Sequence, residues 1–215
     1  MDRTVTDMDT IIRNDISFLV RQAQPDDIDE IMRIEEICFA TGIQEAHNVF
    51  LDRLYTFPEG FFVLVPEEYV NESVSDTSRS RKIRFIAKQL AGYFVSEIWD
   101  EVPPQTAEFY QLGHSASSRH NPEGTVLYLS SFAVDPVARG TGRFLFNSAF
   151  RVMKKKYPQL RKIVFVVNEE WQAARHIYET EGFIYTGRIE NFFKKSPGSE
   201  NAQEKRAALI MEKDI

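Results

Sequence analysis

The sequence predicts one mixed α/β domain over residues 17–215, behind a polar arm of residues 1–16. Three observations carry that reading. The chain has 215 residues, 43% of them hydrophobic and 17 of them Phe, enough to fill the core of one domain of moderate size. Residues 126–134 form a nearly continuous apolar run, as expected of a central strand covered on both faces. Beyond that run, strand-like and helix-like segments alternate, the pattern of a mixed sheet with helices packed on it.

In chain order, residues 17–21 read as a strand. Pro25 opens a helix at its first position, and Asp26 and Asp27 set carboxylates against the positive end of the helix dipole. Ile28, Ile31, Met32 and Ile34 follow at helical spacing, which buries one face. A second short helix fits residues 44–56, and Pro58-Glu59-Gly60 turns the chain into a strand at 61–65. Residues 67–81 read as a solvated loop, 83–98 as one or two strands with Gly92 at a bend, and 100–123 as a long loop rich in Pro, Gly and Ser. After the apolar run, Asp135-Pro136 ends the strand, and a helix runs to about Lys156 with Phe146, Ala149, Phe150 and Met153 on one face. Lys154, Lys155 and Lys156 in its last turn match the dipole. A buried strand then fits 162–167, a helix 169–181 ending at Gly182, a strand from Phe183, a polar loop 194–205 and a final strand 207–212.

The net charge of −6 and pI of about 5.4 argue against broad binding to nucleic acid or anionic membranes, which needs a cationic surface. The single cysteine, Cys38, cannot form an internal disulfide, and its apolar helical setting reads as core packing. No run approaches the ~20 apolar residues of a membrane span. Nor do the first residues resemble a signal peptide, so the expected location is the cytoplasm.

The segment that carries chemistry is Phe132-Ala133-Val134-Asp135-Pro136-Val137-Ala138-Arg139-Gly140-Thr141-Gly142-Arg143-Phe144. A strand ends, glycines permit tight or left-handed backbone, and a helix begins. The first N–H groups of a helix lack internal partners and point outward at the positive end of the dipole, which makes a pyrophosphate site. Arg139 or Arg143 could add charge there. No Gly-Lys-Ser/Thr follows, so this is not a Walker loop, and the full dinucleotide fingerprint is missing too.

An Ala-Val-Asp-Pro strand end followed by Arg-X-X-Gly resembles the coenzyme A loop of the GCN5-related N-acetyltransferases, with Arg139 and Gly142 matching and Phe144 replacing the last small residue. Residues 168–183 resemble a second block of that family, with Ala174, Ile177, Tyr178, Glu179, Gly182 and Phe183 in register. Trp171 stands where the family has Asn. Asn168, three residues earlier, serves either as a helix cap or as a coenzyme contact. The resemblance spans about residues 17–215. It implies an acyl-CoA N-acyltransferase fold: a mixed, mostly antiparallel sheet of six to seven strands with about four helices. It further implies acetyl-CoA as co-substrate without a metal, held by Phe132, Ala133, Val134, Arg139, Gly140, Thr141, Gly142, Arg143, Phe144 and Asn168. Residues 57–62, 98–100 and 112–116 are similar, more loosely, to arylalkylamine N-acetyltransferases. The paired histidines of that group fall at Tyr128 and Ser130 here, so their proton relay does not carry over.

The reaction so implied is direct acetyl transfer to a primary amine, a small molecule rather than a protein, by a monomer or homodimer that binds neither nucleic acid nor membrane. The backbone of Phe132 and Val134 would pair with the pantetheine arm, and Tyr178 would protonate the leaving thiolate. An amine must lose a proton before it attacks. Glu36, Glu97, Asp100, His114, His120 and Tyr128 are the candidate bases, and none is singled out; His176 is expected on the surface. Phe144 and the missing histidines leave open a second reading, a catalytically weak protein that binds coenzyme A as a sensor.

Overall fold

The structure, a computed structural model, describes residues 9–14, 16–67, 89–194 and 205–215. Its strands are β1 (Thr10–Arg13), β2 (Ile16–Gln22), β3 (Phe61–Glu67), β4 (Gly92–Trp99), β5 (Val126–Val134), β6 (Lys162–Asn168), β7 (Ile184–Lys194) and β8 (Lys205–Asp214). The helices are α1 (Ile28–Cys38), α2 (His47–Thr56), α3 (Gly142–Lys156) and α4 (Gln172–Thr180). The strands form one sheet in the order β1-β2-β3-β4-β5-β6-β8-β7, antiparallel everywhere except between β5 and β6.

The described sheet has eight strands rather than six or seven, because Thr10–Arg13 within the expected arm pairs with β2. That strand lies at the sheet edge, where Ile11 packs on the core while Ile12 is exposed, so the sequence carries little hydrophobic pattern for it. The second helix begins at His47 rather than 44, and α4 at Gln172 after a turn. The expected strand at 83–88 and most of the loops at 67–81 and 194–205 lie outside the described residues.

Every residue of β4 is buried, which makes it the centre of the molecule. On one face of the sheet, α3 buries Leu145, Phe146, Ala149 and Met153 beside Phe94, Leu127 and Phe165. On the other, α1 buries Ile28, Ile31 and Ile34 with Phe50 and Leu54 of α2 against Tyr93 and Val95. Asp27 fixes the start of α1 by accepting from Gln24 N at 2.7 Å and from both Nη atoms of Arg21 at 2.6 and 2.8 Å. Arg33 then ties α1 to the end of β5, donating to Asp135 at 2.7 Å and to the Leu90 carbonyl at 2.9 Å. No helix among the described residues is long and apolar enough to cross a membrane.

Candidate active site

The site begins where two neighbouring strands separate. The parallel pairing of β5 and β6 runs only through Val126–Lys162, Leu127–Ile163 and Tyr128–Val164. Beyond it, β6 continues along β8 while β5 stays on β4, and a cleft opens between residues 129–132 and 165–167. At the same level β5 carries a bulge: Ser131 faces Val95 and Leu129 faces Ser96, leaving Ser130 without a partner residue. A bulge re-aims side chains, and bulges concentrate at active sites.

The backbone of β5 beyond the bulge is an unfinished edge. Asp135 N donates to Ala91 O at 2.9 Å, on the β4 side. Backbone groups alternate sides along a strand, so those of Phe132 and Val134 point away from β4, on the side where the cleft opens at Phe132. Cys38 donates weakly from Sγ to the Val134 carbonyl at 3.4 Å. Burial, then the nearby charges of Asp135 and Glu35, pushes this thiol up to about 11, so at neutral pH it is no nucleophile. Phe132 lines the cleft, whereas the Ala133 side chain is buried on the α1 face.

Downstream, Asp135 is buried and accepts from Val137 N at 2.9 Å, which starts the 3-10 turn Pro136–Ala138. Gly140 follows at φ +95°, a conformation that disfavours any side chain. Thr141 is fully buried and anchors the loop by donating to the Ala138 carbonyl at 2.8 Å. The amides of Gly140, Gly142, Arg143 and Phe144 then meet no acceptor among the described residues. Arg143 is tied to Glu181 beyond α4, whereas Arg139 is exposed and meets no acidic partner among the described residues. Phe144 packs partly against the core and borders a groove of about 510 Å3 beside the loop, whose other wall is Thr10 and Ile11 of β1. Asn168 is buried at the end of β6, where its side chain accepts from Glu170 N at 3.0 Å in a local turn. It does not line the cleft.

Sequence reasoning missed Arg13. Its guanidinium lies on the loop: a β-carbon placed on Gly140 would stand 2.8 Å from Nη2 and 3.0 Å from Nε. Like Arg139, it meets no acidic partner among the described residues. No short-range signal connects residues 13 and 140, so only the pairing of β1 reveals the contact.

Tyr178 stands on α4 with its ring against Phe165 (centroids 4.6 Å apart) and lines the cleft. Burial pushes its hydroxyl up to about 12, and the hydroxyl meets no partner among the described residues. His176, two residues away, is exposed.

None of the six candidate bases lines the cleft. Glu36 and Asp100 are exposed, and Asp100 accepts from Asn121 at 2.6 Å. His120 accepts from Ile98 N at 3.1 Å and stacks on Phe57, and burial holds its pKa below the usual imidazole range. Tyr128 stacks on Trp99 at 3.9 Å, and burial pushes its hydroxyl far above the usual range. Glu97 and His114 pair with each other: Nε2 lies 3.0 Å from both carboxylate oxygens, and Nδ1 lies 2.9 Å from the Gln111 carbonyl. Burial disfavours the Glu97 charge, but His114, Arg53 and Trp99 outweigh it and hold the pKa low.

Two carboxylates do line the cleft, Glu35 and Glu45. Glu45 is committed to a buried ion pair with both Nη atoms of Arg53 and accepts from Gly113 N at 2.9 Å. Glu35 has no cation within ion-pair distance among the described residues. It accepts from Tyr93 Oη and from Glu45 N at 2.9 Å. Burial lifts its pKa from 4.5 to about 7, against the pull of those two hydrogen bonds, with Glu45 pushing the same way as burial and Arg53 opposing. The signal in the sequence was helical phase: Glu35 stands seven residues after Ile28 and four after Ile31, on the buried face of α1.

No protein-family model matches the chain, and no curated protein matches it. Solved structures do. The loading GNATL domain of CurA from Lyngbya majuscula superposes with a TM-score of 0.65 at 13% identity, over 92% of this chain and 97% of that one. NAA60 of Arabidopsis thaliana, in complex with a bisubstrate analogue, gives a TM-score of 0.61 at 18% identity, over 92% and 98%. Ard1 of Thermoplasma volcanium gives 0.61 at 17% identity, over 92% and 97%. The chain has the fold of the GCN5-related N-acetyltransferases.

Proposed function

We propose that this chain is an acetyl-CoA-dependent N-acetyltransferase acting on a primary amine of a small molecule. The observation that carries the proposal is one cleft, at the parting of β5 and β6, lined by a base, Glu35, and an acid, Tyr178. Their environments push the two groups into complementary states near neutral pH: Glu35 can exchange a proton and Tyr178 holds one. The expected nucleophile is the amine, made neutral by Glu35. The expected proton donor to the departing thiolate is Tyr178.

The donor side fits coenzyme A in three respects. The backbone of Phe132 and Val134, pointing away from β4, offers a strand edge for the amide-bearing pantetheine arm. Four amides in and just before the first turn of α3, without an acceptor among the described residues, suit the pyrophosphate. Arg13 and Arg139 flank that loop without acidic partners among the described residues. A solved relative by fold, the GphF GNAT-like decarboxylase, is in complex with isobutyryl-CoA. The acceptor is inferred to be small because Leu112, from the 100–123 loop, lines the cleft. That loop is fastened down by Gly113 N on Glu45, His114 on Glu97, and Gln105 on the Thr186 carbonyl at 3.0 Å.

Calorimetric titration with acetyl-CoA, with ATP and NADH as controls, tests the donor, and thiol release with a panel of amines tests transfer. Selective binding and amine-dependent release are expected. Binding without release would favour the coenzyme A sensor, and absence of binding would overturn both readings.

A further inference from the structure

Glu35 presents a difficulty as a base: it is 1% exposed, and each carboxylate oxygen already accepts a hydrogen bond. Buried to that degree, it offers almost no surface to an incoming ammonium. The residues packed on it supply a route. Tyr93 of β4 and Ser131 of β5 lie on the sheet face that α1 covers, and their hydroxyls are 3.2 Å apart. The one hydroxyl hydrogen of Tyr93 is taken by Glu35, which as a carboxylate can only accept. Ser131 is therefore the donor to Tyr93. Its oxygen is left able to accept, and Ser131 lines the cleft.

We propose that Ser131, Tyr93 and Glu35 form a proton relay, in which Ser131 takes the proton of the bound ammonium and Glu35 is its final holder. This rests on the acetyltransferase reading. As the ammonium N–H bond breaks, its proton bonds to Ser131 Oγ. The original Ser131 proton passes to Tyr93 Oη, and the Tyr93 proton passes to a Glu35 oxygen. Both hydroxyls end neutral, the carboxylate becomes a carboxylic acid, and the amine keeps the electron pair with which it attacks the thioester carbonyl. Neither hydroxyl carries a full charge at any stage, which suits Tyr93, whose ionisation burial strongly opposes. The charged and titratable groups around the final holder are Glu45, Arg53, Tyr93 and Cys38. The bulge at Ser130 lies next to Ser131 and breaks the regular pairing of β5 with β4 at that point.

The test compares wild type with Glu35→Gln, Tyr93→Phe, Ser131→Ala and Ser131→Thr, reading kcat/KM against pH and acetyl-CoA affinity by calorimetry. A base acts when deprotonated, so wild-type kcat/KM is expected to rise with pH through about 7. Tyr93→Phe and Ser131→Ala should each lower kcat by ~10²-fold and flatten that rise, as Glu35→Gln does, with acetyl-CoA affinity unchanged. Ser131→Thr, which keeps the hydroxyl, should restore both rate and pH profile. If Tyr93→Phe does not fold, the two Ser131 variants decide the matter. Loss of the pH-dependent rise in Glu35→Gln alone, with Ser131→Ala behaving as wild type, would overturn the relay and leave the acetyltransferase reading standing. A wild type that transfers to no amine would overturn both.

Discussion

With its hydroxyl pushed up to about 12 by burial, Tyr178 carries its proton at neutral pH and can only donate it. Tyr178→Phe keeps the ring contacts with Phe165 and Phe183, so the fold should survive. We expect kcat to fall by ~10²–10⁴-fold while acetyl-CoA still binds. Unchanged turnover in steady-state assays would remove Tyr178 from the reaction. This residue was legible because α4 and the turn after it follow a pattern with fixed spacing. Glu35 was not. Its environment depends on Tyr93, 58 residues away, and its neighbour Glu36 has the same chemistry on the wrong side of the helix. Trp171 was legible only as a mismatch; the structure sets it in the cleft beside Phe39, with ring centroids 5.5 Å apart.

At the level of elements, the loop between β5 and α3 was readable from its glycines and from Asp135-Pro136, because turn chemistry is local. What the sequence withheld was the wall opposite. Strand β1 brings Arg13 onto Gly140, and neither its four residues nor its edge position leaves a strong pattern. Arg13→Ala is expected to weaken coenzyme A binding by about tenfold, the scale of a charge-assisted hydrogen bond to phosphate. Titration against dephospho-coenzyme A then identifies the group it meets: equal weakening for both ligands assigns it to the pyrophosphate, and weakening for coenzyme A alone to the ribose phosphate. Tighter binding by the variant would mean that Arg13 blocks the loop.

Across the whole molecule, a buried charge network joins elements that are remote in sequence. Arg53 of α2 lies between Glu45 and Glu97, and Glu97 holds His114 of the long loop. Removing one member leaves opposite charges buried without their partner, so Arg53→Ala should cost ~3–5 kcal/mol in denaturant unfolding. A cost below ~1 kcal/mol would mean that water replaces the guanidinium. The loop at 100–123 was readable from its Pro, Gly and Ser as a long connection, and the network that fastens it was invisible, since its members come from four separate segments. The same long-range assembly governs the central parting of the sheet, which has a consequence for backbone dynamics. By alternation from Asp135 N, which bonds to β4, the amides of Phe132 and Val134 point away from β4, while that of Ala133, between them, points toward it. Amide deuterium uptake along this stretch should alternate, fast at 132 and 134 and slow at 133. Acetyl-CoA should erase the alternation, because a donor that completes the strand edge shields the two exposed amides at once.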